Sequence, residues 1–175
     1  MTETLISVDV EASGPIPWRY SMLSLGACLV DDPTDELYLE FQPVTDEFVA
    51  EAVAVSGLDL AKLQVDGSPP AVGMTRFAEW LVRFECPVFV GFNASFDWAF
   101  VNHYFIEYGP AARNPFGIGA VDIKAYAMGR LNATWNDTRS SRLAARLGKT
   151  NPSAHNALED AQQQADLFRA IRDSL

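Results

Sequence analysis

Cysteine is nearly absent from this chain. Cys28 and Cys86 are its only two, and their separation matches no metal-binding or redox spacing. That excludes a disulfide framework, a zinc module and a thiol redox motif, and two buried free thiols are expected. No apolar run approaches the roughly 18 residues of a membrane-spanning helix. Met1-Thr2-Glu3-Thr4 lacks the basic start of a secretion signal, so a cytoplasmic protein without a membrane partner is expected. Repeats, low-complexity tracts and linkers are missing as well. With 49% of its residues apolar and 11% aromatic, the chain is expected to form one domain, 1–175, around its own core.

Positive charge is also in short supply, with 13 basic residues against 23 acidic ones and a net charge of −10. That balance disfavours a protein that coats long nucleic acids. The distribution is uneven, however. Between Arg113 and Lys149, seven basic residues face two acidic ones, so this window carries +5 and the remainder −15. A local basic face suits a few phosphate contacts; ordinary solvated helix faces account for it equally well.

Residues 4–10 predict a buried strand, apolar and β-branched, followed by the turn residues Ser13-Gly14-Pro15. Further strands are expected over 22–30 and 36–42, the latter alternating apolar and polar residues as a half-buried antiparallel strand does. Helical spacing follows over 46–55, and Phe77, Trp80, Leu81 and Phe84 mark an amphipathic helix over 72–84. A short apolar strand over 87–91, a helix from Ser95 to Tyr108, a strand at 120–121 and a helix over 140–147 come next. Asp122 could cap the helix after the fifth strand, and Asn156 with Glu159 makes a capping box for a final helix ending near Asp173. The order predicts an α/β fold: a mixed five-stranded sheet, three antiparallel N-terminal strands then parallel ones, flanked by helices.

Asp9 and Glu11 stand two apart on the first strand and so share a face. Paired carboxylates at the end of an apolar strand repel each other, and such a pair persists when a hard cation such as Mg²⁺ neutralises it. Taken alone, a solvated Glu11 in the loop after the strand is the plainer reading. Asp97 falls in the first turn of a helix, where an acid also simply complements the helix dipole. His155 precedes the last helix and Asp160 lies early within it; a loop histidine and a solvated helix acid are the ordinary alternatives. His103, mid-helix without an acidic neighbour, is read as structural. Ile16, Trp18 and Tyr20, in the loop after the first strand, could stack on bases or cover a core edge.

Together, Asp9-x-Glu11, Asn93-x-x-Phe96-Asp97 and His155-x-x-x-x-Asp160 resemble, in order and context, the three motifs of the His-containing branch of the DEDD 3′-to-5′ exonucleases. That group includes ribonuclease T, oligoribonuclease and the proofreading subunits of DNA polymerases. Ser13-Gly14, Val55-Ser56-Gly57-Leu58 and Val121-Asp122-Ile123 extend the likeness, and Ala154 and Ala161 surround the third motif. Ser24 departs from it, standing where relatives usually carry an acid.

The resemblance implies a ribonuclease H-like fold and two Mg²⁺ (or Mn²⁺) held by Asp9, Glu11, Asp97 and Asp160. It implies that His155 takes the proton of the attacking water, imidazole being suited to that task near neutral pH. The expected substrate is the 3′ end of short or single-stranded nucleic acid, RNA in preference to DNA, with nucleoside 5′-monophosphates released. Ala12, Ser13, Ile16, Trp18, Asn93 and Phe96 are the expected substrate contacts. A DNA proofreading or repair exonuclease and a catalytically silent adaptor are the alternatives, and a homodimer is a further expectation from relatives.

Overall fold

The computed structural model describes residues 2–149 and 155–174; Ala154, read above with the third motif, lies outside them. Strand β1 (Glu3–Ala12) is central in a five-stranded sheet of order β3-β2-β1-β4-β5. It pairs antiparallel with β2 (Met22–Leu29), which pairs antiparallel with β3 (Glu36–Glu40). On its other side β1 pairs parallel with β4 (Cys86–Gly91), and β4 with the two-residue β5 (Val121–Asp122). The fold is the mixed sheet with flanking helices expected of the ribonuclease H-like class.

Strand β1 runs two residues beyond its expected end because its pairing with β2 continues through Ala12, past a bulge at Glu11/Ala12. Glu11 is therefore a strand residue, opposite Ser24, and shares a face with Asp9. The even-numbered side chains Ile6, Val8, Val10 and Ala12 pack against α3 (Pro70–Leu81) and α4 (Ala94–Tyr108) through Phe77, Phe100 and Tyr104. The opposite face lies under α5 (Ile123–Leu131) and α7 (Ala157–Arg172).

Helix α7 sits unusually close to the sheet. Ala157, Ala161 and Ala165, one turn apart, are fully buried and present no bulk. Beneath the start of the helix lies Gly26, opposite Asp9 in the β1–β2 register. A Cβ at position 26 would collide with the backbone of Ala157 and Leu158. Glycine at this point is what lets the helix carry Asp160 down to β1.

Several boundaries differ from the sequence expectation. Helix α1 (Ala50–Ser56) starts four residues late because the preceding segment is bound to the loop after β1. There the Val49 amide donates to Ser13 O at 2.7 Å, and the Arg19 guanidinium pairs with Glu47. Helix α2 (Leu60–Asp66), not expected, is capped by Asp59, whose carboxylate accepts from the Ala61 and Lys62 amides. Helix α3 starts two residues early, with Pro70 at its first position. Ser95 does not cap α4; Asn93 precedes the helix in a left-handed conformation (φ 59°), and the Ala94 amide donates to Asp122 Oδ2 at 2.9 Å. Asp122 caps α5 as expected, through Ala125 N at 2.8 Å, so one carboxylate closes two helix starts. Helix α6 (Ser140–Arg146) and the capping of α7 by Asn156 follow the sequence expectation. Cys28 is buried, but Cys86 is only half-buried, since it opens β4 at the sheet's rim.

Substituting Gly26→Ala is expected to cost roughly 3 kcal/mol of stability, at the upper end of overpacking because the obstacle is backbone. Urea unfolding followed by circular dichroism measures the loss.

Candidate active site

The carboxyl ends of β1 and β4 and the start of α7 meet at one place. One carboxylate oxygen each from Asp9, Glu11 and Asp160 lies within 4.8 Å of the other two. Asp9 projects from the sheet face under α7, Glu11 follows two residues on, and Asp160 arrives from the first turn of the helix. Asp97, 4% exposed, is brought beside them from α4, but outside that triad of oxygens. Its Oδ1 accepts from the Val10 amide at 3.1 Å, so the backbone between Asp9 and Glu11 fixes it.

Burial and mutual repulsion govern the electrostatics. Burial pushes the Asp9 carboxyl well above its usual range, and the charges of Asp97, Asp160 and Glu11 push it further. Glu11 is raised by partial burial and then by Asp160, and Asp160 is raised chiefly by burial. Asp97 is pushed up to about 8 by its burial, against the lowering effect of its backbone hydrogen bonds. His155 is exposed, sits in the left-handed region (φ 48°), and lowers both Glu11 and Asp160 by its proximity. Three converging oxygens, each carrying an unfavourable charge, form a set suited to a hard divalent cation, which offsets the repulsion and the lost hydration together.

One residue that sequence reasoning missed orders this cluster. Gln164 stands one turn after Asp160, on the same side of α7. Its Nε2 donates to Asp9 Oδ1 at 2.6 Å, and its Oε1 accepts from the Phe92 amide at 2.9 Å. The Phe92 N–H can only donate, which fixes the orientation of the amide and turns its NH₂ toward Asp9. The spacing Asp160-x-x-x-Gln164 was the one available signal.

The expected substrate contacts divide. Trp18, 77% exposed, stands out from the loop, and Ile16 is half-buried. Asn93 and Phe96 are exposed at the start of α4, Phe96 packing on Phe100. Ala12 is buried and paired with Met22. Ser13 is committed to the fold instead. Its amide donates to Ser21 O, its carbonyl accepts from Val49 N, and its hydroxyl joins Ser21 N to Glu47 O. Those bonds close the loop from Gly14 to Tyr20, whose ring lies against Gly14.

A family model described as exonuclease (RNase_T) matches residues 6–168. The 3′-5′ DNA exonuclease Cap18 of Escherichia coli is 47% identical over 173 residues, covering 97% of this chain and 91% of that protein. Among solved structures, the nuclease domain of 3′hExo, a DEDDh family member bound to rAMP, superposes with a TM-score of 0.78 at 12% identity, covering 97% of this chain and 92% of that one. The E. coli ExoI–ssDNA complex gives a TM-score of 0.77 at 17% identity. It covers 99% of this chain, which spans only 41% of that protein. At these identities the structural likenesses bear on the fold.

Two predictions follow from the site. Between pH 4, where an unfolded aspartate titrates, and about 8, the native protein keeps a proton on Asp97 that the unfolded chain has lost. Stability in EDTA should therefore fall as pH rises across this window, and Mg²⁺ should raise the melting temperature more at pH 8 than at pH 5.5. Thermal scans at both pH values check this. Gln164→Leu should weaken divalent-cation binding about tenfold, the usual scale for losing a group that orients a ligand, as read by Mn²⁺ titration calorimetry.

Proposed function

Because the chain belongs to this exonuclease family and is a hydrolytic 3′-to-5′ nuclease of the DEDDh kind, we propose that it removes nucleotides from the 3′ end of short or single-stranded nucleic acid with Asp9, Glu11, Asp97, Asp160 and His155 as its catalytic residues. The observation that carries this reading is the convergence of Asp9, Glu11 and Asp160 oxygens within 4.8 Å, with His155 near enough to act on the charge of two of them.

Asp9, Glu11 and Asp160, with Asp97 beside them, would hold two Mg²⁺ or Mn²⁺, which when bound supply positive charge for activating water and offsetting the leaving oxygen. The chain's own groups do the rest. Gln164 donates to Asp9 Oδ1 and so orients the Asp9 carboxylate. An imidazole nitrogen of His155 takes the proton of the attacking water as its oxygen bonds to phosphorus. The bond from phosphorus to the 3′ oxygen of the preceding nucleotide breaks, that oxygen takes a proton from solvent, and a nucleoside 5′-monophosphate leaves. Trp18 and Ile16 stack on the terminal base, with the backbone of Ala12 and the side chains of Asn93 and Phe96 lining its approach.

The 47% identity to a protein named as a DNA exonuclease supports DNA as the substrate. RNA, the expectation from the sequence, is the competing arm of the test. A time course on 5′-labelled DNA and RNA oligonucleotides of two to twenty residues, with Mg²⁺, Mn²⁺ or EDTA, should show ladders shortening from the 3′ end. Cleavage should vanish in EDTA and fall at least about a thousandfold, ~4 kcal/mol, in Asp9→Ala. Metal binding without cleavage of any oligonucleotide would favour the adaptor alternative.

A further inference from the structure

A second arrangement lies on the α5 side and is linked to the carboxylate cluster through Asn93 and Phe92. Lys124, in the first turn of α5, donates Nζ to Asn93 Oδ1 at 3.0 Å. The same ammonium lies 3.8 Å from the centroid of the Trp135 ring and 5.8 Å from that of Phe92. A surface lysine ordinarily samples many rotamers; here an amide and two aromatic rings hold it in one place. Trp135 opens a 3₁₀ turn, Trp135–Thr138, and stays 56% exposed. Arg142 is fastened to the same turn, its Nη1 donating to Asn136 O and Asp137 Oδ1. Arg146 anchors to Leu131 O at the end of α5.

This group is joined to the candidate active site through covalent and hydrogen-bonded neighbours. Asn93 lies four residues before Asp97. The amide of Phe92 is the one that orients Gln164, and through it Asp9. Lys124, Arg142 and Arg146 also belong to the window that carries +5 on a chain whose remainder carries −15. A polyphosphate strand approaching three or four carboxylates is repelled unless cations near the entrance offset them. Fixed cations interleaved with an exposed indole are the chemistry with which proteins hold single strands: charge for phosphate, ring face for base, and no reading of sequence.

We propose that Lys124, Trp135 and Arg142 form a subsite for the nucleotide on the 5′ side of the bond to be cut. The base stacks on the indole of Trp135 and its phosphate meets the Lys124 ammonium, with Arg142 behind. This rests on the nuclease reading above and adds to it where the rest of the strand lies. Substrate length is then sensed at this rim, apart from the carboxylates.

The test compares Trp135→Ala and Lys124→Gln with the unaltered chain and with Arg76→Gln, a charge control on α3 across the sheet. Hydrolysis of the nitrophenyl ester of thymidine 5′-monophosphate, which has no 5′-side nucleotide, should be unchanged in all four. On a single-stranded 12-mer, both rim variants should raise KM about tenfold with kcat unchanged, while Arg76→Gln does neither. Fluorescence anisotropy with Ca²⁺ and a 3′ phosphorothioate-blocked 12-mer gives a readout independent of turnover. Affinity should fall about tenfold in both rim variants, and the slope of log K against log salt should shrink by about 0.7 in Lys124→Gln but not in Trp135→Ala. Unchanged 12-mer affinity and KM in both rim variants overturn the subsite. Equal losses on the nitrophenyl ester and the 12-mer overturn it too, since they mark a structural role. If the unaltered chain cleaves neither substrate, the nuclease reading fails, and the anisotropy arm still decides whether this rim holds a strand.

Discussion

The distance between α7 and the sheet governs this molecule. Asp9 and Glu11 are fixed by the register of β1, and Asp97 by its bond to the Val10 amide, so the sheet by itself presents an incomplete ring of acids. The missing carboxylate and the amide that orients Asp9 both come from α7. They reach the sheet because a glycine in β2 and three alanines on the helix remove the side chains that would otherwise hold the helix away from it. Small residues here are a condition for bringing the acids together as well as for packing.

Close approach brings like charges together, which is electrostatically unfavourable, and the fold maintains it by apolar packing and helix capping. The apolar face of β1 is locked into the core with α3 and α4, and Asp122 fastens the starts of α4 and α5 with a single carboxylate. Stability is thus invested in packing and capping, and repulsion is concentrated where a cation can relieve it.

Much of this was legible in the sequence, for reasons that can be named. A strand's two-residue period is enough to put Asp9 and Glu11 on one face, and the apolar runs of β1, β2 and β4 are unambiguous. The cap residues Asp122 and Asn156 announce helix starts by a local mechanism. The sequence was silent where the cause is long-range. Nothing near residue 46 indicates that the next four residues will be drawn across to Ser13, so α1 was begun too early. Ser13 looked available to substrate because its three hydrogen-bonding partners lie at positions 21, 47 and 49. Gln164 reads as one of three consecutive glutamines; its four-residue spacing from Asp160 sets it apart, but only the seating of α7 on the sheet shows that it reaches Asp9. Asp59, by contrast, caps α2 by a local mechanism, and the helix it opens is only seven residues long.

The bond from Gln164 to Asp9 spans 155 positions in the sequence. Contacts of that separation close large loops, at a greater entropic cost than the β1–β2–β3 meander and the local helices. An incompletely folded chain therefore displays Asp9 and Glu11 without Asp160 and has no complete set of carboxylates. The topology thus ties the complete set of acids to a fold in which the first strand and the last helix have met.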